Sequence, residues 1–433
     1  MRYVYSNRSL AHVQFLLRLG ALAALLAMLA PNAAAQFVTR AGGSEAEPRT
    51  IAAGDPFLSA AWTATTTAST SFTYEDLGAV QTLPTAGPGD GVVVLRIQDD
   101  GDVDVAFALE ATVRIVANGM VPDGSGGVWM TGFFEGTVDF DPGAGTSSET
   151  GTGITAYVVQ YTSTGALGTV FTVPGGVRGF DLALTPQGEL IITGRFAGTA
   201  DFDPGPGTTS LTSGGEYSMY VARYTTAGAL TSAFRVVAPQ SFGRVQGVRV
   251  ASDGTQTVIA GSLAGSADFD PSAGSTVLST PSGNTHYFVV SYTNANVPNW
   301  ARSLGGSALL TAVALDAGVV YVGGEFSATL AGVTPSGGSD GFLLSLTSSS
   351  GGPQSLLKFG GTFPFNGKDR VEDISVRSNS SVFVAGQFQG TNVDFDPGPG
   401  VVTRSAPNSV SYFVLGLTNG VLDFVASRGD ANS

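Results

Sequence analysis

The sequence predicts an all-β protein, a single β-propeller of about six four-stranded blades, on three observations. Gly132, Gly194, Gly261, Gly324 and Gly386 recur at spacings of 62, 67, 63 and 62 residues. Pairs of alternating apolar and polar runs, bounded by glycine and proline, surround each of these glycines, which is typical of antiparallel strands. A near-identical acidic phrase joins the two pairs in four units. Four strands per repeat at this period indicate propeller blades, and five to seven blades fit the pattern.

The N-terminal residues 1–35 have the pattern of an export signal. Three arginines and no acidic residue precede the apolar run Leu19–Ala30, and the small residues Ala33–Ala35 precede Gln36. The apolar run is too short to span a bilayer core of about 30 Å. Cleavage before Gln36 leaves 433 − 35 = 398 residues and changes the formal charge from −14 to −14 − 3 = −17. We therefore expect a secreted or cell-surface protein.

Six repeats are expected in the exported part, 36–433. The second strand pair occurs six times and the first pair five times, so residues 45–85, including Phe57-Leu58 and Phe72-Thr73-Tyr74, are expected to complete the first blade. The expected repeats cover approximately 45–112, 113–176, 177–241, 242–307, 308–369 and 370–430.

Composition narrows the classes of partner. The negative charge argues against nucleic acid, whose phosphates require lysine and arginine. The absence of cysteine excludes disulfides and thiolate metal sites, so packing must stabilise the fold. No stretch after the signal is apolar enough to span a membrane. We expect a monomer that binds an extracellular protein or a glycan.

The repeating cycle resembles a known family. Its consensus is Val/Ile-x-Val/Ile-Thr/Ala-Gly-x-Phe-x-Gly-Thr-x-Asp-Phe-Asp-Pro-Gly, then Tyr-Phe-Val-x-x-Tyr, then endings such as Trp300-Ala301-Arg302-Ser303-Leu304-Gly305-Gly306 and Lys358-Phe359-Gly360-Gly361. Over residues 85–430 it is similar to the bacterial SBBP β-propeller repeat. The resemblance implies a secreted or surface-attached bacterial propeller and implies no enzymatic activity.

The acidic phrases are the strongest candidate sites. Each has the form Asp-Phe-Asp-Pro, and side chains two residues apart on an extended backbone share a face. Calcium, which takes 6–8 oxygen ligands, is one counter-ion for such paired carboxylates. The alternative is a turn, because Asp-Pro-Gly is typical of turns; this alternative leaves the first aspartate unexplained. The candidate calcium ligands are Asp139, Asp141, Asp201, Asp203, Asp268, Asp270, Asp394 and Asp396. The fourth clear unit lacks the phrase and has Phe326–Gly332 in its place.

Catalytic residues are few. His286 is the single histidine after the signal, and its place beside an apolar run favours a strand-edge or surface residue. Carboxylate chemistry of the glycosidase type leaves Glu135, Glu189, Glu325 and Glu372 as candidates. We therefore predict a secreted, non-catalytic binding or scaffold module, with no catalytic residue assigned. The alternative is an extracellular carbohydrate-active enzyme, a hydrolase or lyase that uses acidic residues in the propeller funnel.

Overall fold

The structure, a computed structural model, describes residues 48–53, 60–67, 71–76, 79–84, 91–98, 103–281, 284–336, 338–361, 369–377, 381–396, 398 and 400–427. The predicted signal peptide, 1–35, lies outside the described residues, as do Phe57 and Leu58. The chain forms two compact units, Met1–Thr172 and Val173–Ser433.

Strands make up the regular structure of the described residues, where no helix occurs. Within those residues the strands form six antiparallel four-stranded sheets and three two-stranded sheets. Neighbouring strands in each large sheet follow one another along the chain, except where a small hairpin intervenes. This is the up-and-down strand order of a propeller blade. The predicted all-β fold is confirmed, with six four-stranded sheets of the propeller-blade type among the described residues.

Unit 1 contains the first two sheets. Sheet 1 consists of β1 (Pro48–Ala53), β2 (Ala60–Thr67), β5 (Gly91–Gln98) and β6 (Val103–Glu110), beside the hairpin of β3 (Ser71–Asp76) and β4 (Ala79–Pro84). Sheet 2 consists of β7 (Arg114–Pro122), β8 (Val128–Asp139), β9 (Ser148–Tyr161) and β10 (Leu167–Val173). The expected first blade is thus completed by β1 and β2. Placing Phe72-Thr73-Tyr74 in that blade was wrong, because β2 pairs directly with β5 and leaves β3 in the separate hairpin.

Unit 2 contains the other four sheets. Sheet 3 consists of β11 (Val177–Leu184), β12 (Glu189–Phe196), β15 (Ser218–Thr225) and β16 (Leu230–Val236), with the hairpin of β13 (Thr199–Asp201) and β14 (Ser210–Thr212). Sheet 4 consists of β17 (Arg244–Ser252), β18 (Gln256–Ala264), β21 (Thr285–Thr293) and β22 (Pro298–Gly305), with the hairpin of β19 (Ser266–Asp268) and β20 (Val277–Ser279). Sheet 5 consists of β23 (Ala308–Asp316), β24 (Val319–Phe326), β25 (Asp340–Thr347) and β26 (Pro353–Phe359). Sheet 6 consists of β27 (Arg370–Arg377), β28 (Ser381–Asp394), β29 (Thr403–Thr418) and β30 (Val421–Ser427).

The first strand of each sheet contacts the first strand of the next sheet in the same unit. In unit 2, β11 contacts β17, β17 contacts β23, and β23 contacts β27. In unit 1, β1 contacts β7. Apolar side chains of the middle strands fill the space between neighbouring sheets, for example Ile191, Val221, Ile259 and Val290 in one buried cluster of sheets 3 and 4. Burial between sheets is therefore the main source of stability in a chain without cysteine.

A backbone bulge explains why glycine marks every repeat. Each of β7, β11, β17, β23 and β27 has a bulge next to the residue that pairs with the recurring glycine of the second strand. A Cβ atom on that glycine would lie only 1.8 to 2.2 Å from a carbonyl oxygen of the first strand in all five sheets. No other residue fits without moving the first strand, so the period seen in the sequence is a steric requirement of the bulge.

Candidate functional site

The first aspartate of each acidic phrase closes a loop by accepting two backbone hydrogen bonds. We call residues 136–147, 198–209, 265–276 and 390–402 the acidic loops. In the second loop, Oδ1 of Asp201 accepts from the amide of Asp203 at 3.1 Å and from the amide of Thr209 at 2.7 Å. Asp139, Asp268 and Asp394 make the same two bonds, at 2.7 to 3.1 Å, with the amides two and eight residues ahead. The first aspartate, which turn chemistry left unexplained, is therefore a clamp across the whole loop.

The second aspartate forms a local turn. Oδ1 of Asp203 accepts from the amide of Gly205 at 2.8 Å, and Asp141, Asp270 and Asp396 accept equivalent bonds at 2.7 to 2.8 Å. Its other oxygen lies over the glycine four residues ahead, where an added Cβ would be 2.1 to 2.2 Å away in all four loops. These glycines are Gly145, Gly207, Gly274 and Gly400. The turn interpretation is thus supported for the second aspartate. The glycine four residues after it, present in all four loops, is a sequence signal that the prediction did not use.

The phenylalanine between the two aspartates anchors the loop to its own sheet. Phe140, Phe202, Phe269 and Phe395 are completely buried. The ring of Phe202 packs edge-on against Phe196, with ring centres 5.4 Å apart, and at a tilt against Tyr220, with ring centres 4.9 Å apart. In three loops a buried tyrosine at the end of the third strand donates its hydroxyl to the carbonyl of this phenylalanine, as Tyr224 does at 2.8 Å. These two aromatic contacts of Phe202 are with residues of its own sheet.

Calcium binding by the acidic loops stays a prediction. Calcium prefers six or more oxygen ligands, whereas Oδ1 of both aspartates in each loop already accepts amide hydrogen bonds. Partial burial raises the pKa of Asp268, whereas the hydrogen bonds from the amides of Thr276 and Asp270 lower it. The hydrogen bonds have the larger combined effect, so the net pKa lies below its usual range. Among the described residues, no three or more histidine, aspartate or glutamate side chains form a group able to hold a metal ion. An ion at these loops has to share the clamped oxygens or use the Oδ2 atoms.

The glutamates considered for catalysis are held by arginines. Arg114 donates from Nε to Glu135 at 3.0 Å across β7 and β8. Arg223, which is almost fully buried, donates from a terminal nitrogen to Glu189 at 2.9 Å. Glu135 and Glu189 lie in different units and each forms a local ion pair within its own sheet. Among the described residues, the ionic partners of Glu135 and Glu189 are arginines, whereas a glycosidase requires a second carboxylate nearby.

Glu325 and Glu372 meet at one arginine in unit 2. Arg370 donates from Nε to Glu325 at 3.0 Å, and a terminal nitrogen of Arg370 lies 3.8 Å from Glu372. Gln387 also donates to Glu372 at 3.0 Å. The arginine joins β24 of sheet 5 to β27 of sheet 6, so this pair contributes first to the contact between two sheets.

His286 lies on β21, where it pairs with Leu263. Its Nδ1 atom is 3.3 Å from the hydroxyl of Ser303. No acidic side chain is among these partners, so a serine, histidine and aspartate triad finds no support here. The interpretation of His286 as a strand-edge residue agrees with its position.

Sequence reasoning missed a group of three charged residues on the first strands of unit 2. Asp181, Arg249 and Asp373 each follow the bulge of their strand, in sheets 3, 4 and 6. Oδ2 of Asp181 accepts from the amide of Val250 at 2.9 Å, which connects sheet 3 to sheet 4. An alignment of the repeats could have found these charged residues, because the position after the bulge holds the small residues Gly119 in β7 and Ala312 in β23.

Burial dominates the electrostatics of these carboxylates. Both side chains keep part of their surface accessible, yet desolvation raises the pKa of Asp181 to about 6 and that of Asp373 to about 7. The Arg249 guanidinium lowers both pKa values, but by less than desolvation raises them. The charge of Asp181 raises the pKa of Asp373 further. The pKa values of these two carboxyls are therefore electrostatically coupled, although the residues belong to different sheets.

A further carboxyl with a raised pKa, that of Asp369, lies between sheets 5 and 6. Asp369 is 1% exposed and accepts from the amides of Gln389 at 2.6 Å and Gly361 at 3.4 Å. Desolvation raises its pKa to about 7, against the opposing effect of these amides, and the nearby charges of Asp340 and Glu325 raise it further. Asp369 is therefore protonated over much of the acidic range.

Comparisons with known proteins assign the chain to no family. No protein-family model matches the chain, and no curated protein matches it. Among solved structures, the chain is similar to quinohemoprotein alcohol dehydrogenase ADHIIG from Pseudomonas putida HK5, with 10% sequence identity, a TM-score of 0.30, and coverage of 82% of this chain and 71% of that chain. We draw no conclusion from this likeness. Among the described residues, no helix has the length and apolar character needed to cross a membrane.

Proposed function

We propose that the protein is a secreted or surface-attached, non-catalytic propeller of bacterial SBBP type that binds an extracellular protein or a glycan through its blade loops. The observation that carries this proposal is the construction of the acidic loops. Each is closed by its own backbone hydrogen bonds and fixed by a buried phenylalanine. Rigid loops at the end of packed sheets lose little conformational entropy on binding. The export pattern of residues 1–35 and the acidic composition support an extracellular location.

A second function, an extracellular carbohydrate-active enzyme, is favoured by one specific observation. Asp181 and Asp373 come from different sheets, interact with each other and have raised pKa values. Raised pKa values of this kind are typical of groups that donate a proton. Against catalysis stands Arg249, which interacts with both carboxyls, and Asp181 is also held by the amide of Val250.

One experiment separates the two functions. The exported chain, residues 36–433, is applied to arrays of extracellular glycans and peptides, and the same glycans are assayed for new reducing ends and for unsaturated lyase products. We expect saturable binding without product. Product that disappears in the Asp181→Asn and Asp373→Asn variants would establish the enzyme, and the absence of any saturable binding would contradict the binding module.

Calcium is proposed as a stabiliser of the four acidic loops and is tested separately. The exported chain is treated with a chelator and its thermal unfolding is compared with and without millimolar calcium. Calcium at about 100 times its dissociation constant should add roughly 2.7 kcal/mol per site. The matched control carries Asp→Asn at Asp139, Asp201, Asp268 and Asp394, because asparagine keeps the oxygen that accepts the amide bonds and removes the charge. An equal response of both proteins would leave the loops as hydrogen-bonded turns.

A further inference from the structure

Phe242 is a large apolar side chain that unit 2 leaves in solvent. It is 81% exposed, whereas the loop phenylalanines are completely buried. Burying a phenylalanine is worth about 1.5–3 kcal/mol. The exposed Phe242 ring therefore does not stabilise the free protein. A partner that covers the ring would gain the free energy of burying it.

The backbone around Phe242 is fixed. Phe242 lies in the connection between β16 and β17, residues 237–243, whereas the equivalent connection between β22 and β23 has only residues 306–307. The amide of Gly243 donates to the carbonyl of Gln240 at 2.7 Å, and the amide of Glu216 donates to the carbonyl of Gly243 at 2.8 Å. A Cβ atom on Gly243 would lie 2.1 Å from the carbonyl of Ala238. The additional residues therefore form an ordered turn that presents the ring.

The neighbouring surface is acidic. Val237 pairs with Asp268, and Asp268 pairs on its other side with Val277. Asp268 is exposed and Val277 is 54% exposed. The side chain of Gln240 closes this edge by hydrogen bonds to both the amide and the carbonyl of Ser266, at 3.1 and 3.3 Å. The connection is thus attached to the third acidic loop through Gln240 and Ser266, and Phe242 and Asp268 each lie two residues beyond this contact.

The nearest arginine adds no net positive charge. Arg244 forms an ion pair with Glu216 at 2.6 Å, with both side chains 46% exposed. Arg235, two residues before Val237, is exposed and donates to the carbonyl of Thr212. The two carboxylates of the third acidic loop, Asp268 and Asp270, outnumber this one cation, and the whole chain carries −14. This charge disfavours a second copy of the chain as the occupant and favours a cationic one.

We propose that Phe242, Val277 and Asp268 form a docking site for a peptide segment of an extracellular partner that carries an apolar side chain next to arginine or lysine. The proposal rests on the proposed binding function and names its surface and the chemistry of its partner. The ring supplies the apolar contact and the acidic loop supplies the charge. We call this surface the Phe242 site.

The test uses a displayed library of random peptides, selected on the immobilised exported chain and on its Phe242→Ala variant. We expect the wild type to enrich peptides in which an apolar residue neighbours arginine or lysine. Phe242→Ala should weaken the best peptide by about tenfold or more, as for an anchor residue of an interface. Molar sodium chloride should weaken binding to the wild type as well, because exposed charges are screened. The control is Val297→Ala, since Val297 is 42% exposed but lies in the turn between β21 and β22, at the other end of the strands.

Each contrary outcome has a separate meaning. Enriched peptides without basic residues, or peptides that bind Phe242→Ala as tightly as the wild type, would overturn the Phe242 site while the binding function stands. A failure of both peptides and glycans to bind would overturn the proposed function itself. Sedimentation of the wild type as a dimer that Phe242→Ala dissociates would show that a second copy occupies the surface, and would also overturn the proposal. Equal unfolding temperatures of the variants exclude misfolding as the cause.

Discussion

Replacing Phe202 with alanine is expected to lower the free energy of unfolding by about 3–5 kcal/mol, the usual cost of removing a buried aromatic ring. The ring of Phe202 is completely buried and contacts Phe196 and Tyr220. Its loss leaves a cavity beneath the acidic loop and removes the anchor of the loop. Urea unfolding of the exported chain, followed by circular dichroism, measures the change.

Two comparisons complete this prediction. Val421→Ala is the surface control, because Val421 is 67% exposed and its loss should change the free energy by no more than about 0.5 kcal/mol. Leu330→Ala is compared with Phe202→Ala and is expected to lower the free energy of unfolding by about 2–5 kcal/mol. A loss below about 1 kcal/mol for Phe202→Ala would contradict the role of the ring as the anchor of the loop.

The fifth sheet explains why Leu330 belongs in this comparison. Its second and third strands are joined without an acidic phrase, yet Leu330 is 5% exposed and belongs to the same buried cluster as Phe326 and Phe342. The two paired carboxylates are dispensable in a sheet, whereas an apolar side chain beneath the connection is retained. A buried apolar side chain beneath the connection is therefore what the sheets share, and the aspartates serve the longer loop above it.

Much of the fold could be predicted because its requirements are local. The bulge allows only glycine in the second strand, and this steric rule places Gly194 and its equivalents at a readable period. Strand alternation and turn residues then gave four strands per repeat. The hairpin of β3 and β4 was misplaced because the alternation of a hairpin is the same whether or not it joins a larger sheet.

The candidate sites were only partly predictable because their partners lie far apart in sequence. The bond from Thr209 to Asp201 depends on how the intervening residues fold, so the clamp could not be read from the phrase. Asp181 and Asp373 are separated by two sheets along the chain, and the electrostatic effect of one on the other depends on the packing of those sheets. The exposure of Phe242 is equally invisible in the sequence, where it resembles a buried residue.

Three carboxyls in unit 2 are expected to lower the free energy of unfolding as pH rises from about 4 to about 8. The pKa values in the folded state are about 6 for Asp181 and about 7 for Asp369 and Asp373, against a usual value of 3.8. The folded protein therefore binds protons more tightly than the unfolded chain. Stability contributed by the protonated form is complete below the unfolded pKa and is lost as pH rises through the folded pKa.

The size of this effect follows from the shifts, since one pKa unit corresponds to about 1.4 kcal/mol. Urea unfolding at several pH values between about 4 and 8 measures it. General repulsion among the acidic groups of this chain also lowers stability as pH rises. The behaviour of the Asp373→Asn variant therefore separates the two causes. Asp373→Asn should flatten the pH dependence of the unfolding free energy, because the amide no longer takes up a proton.

Asp253→Asn is the matched control for the carboxyl variants. Partial burial raises the pKa of Asp253, whereas hydrogen bonds from Thr255 and Gln256 lower it. The hydrogen bonds have the larger combined effect, so the net pKa is below 3.8. Its contribution is present above that value and is lost only when pH falls through the folded pKa. Asp253→Asn should therefore lower stability equally across about pH 5 to 8 and leave the slope unchanged. A wild-type stability that rises between about pH 4 and 8, or a slope that Asp373→Asn leaves intact, would show that these carboxyls are ionised in the folded protein.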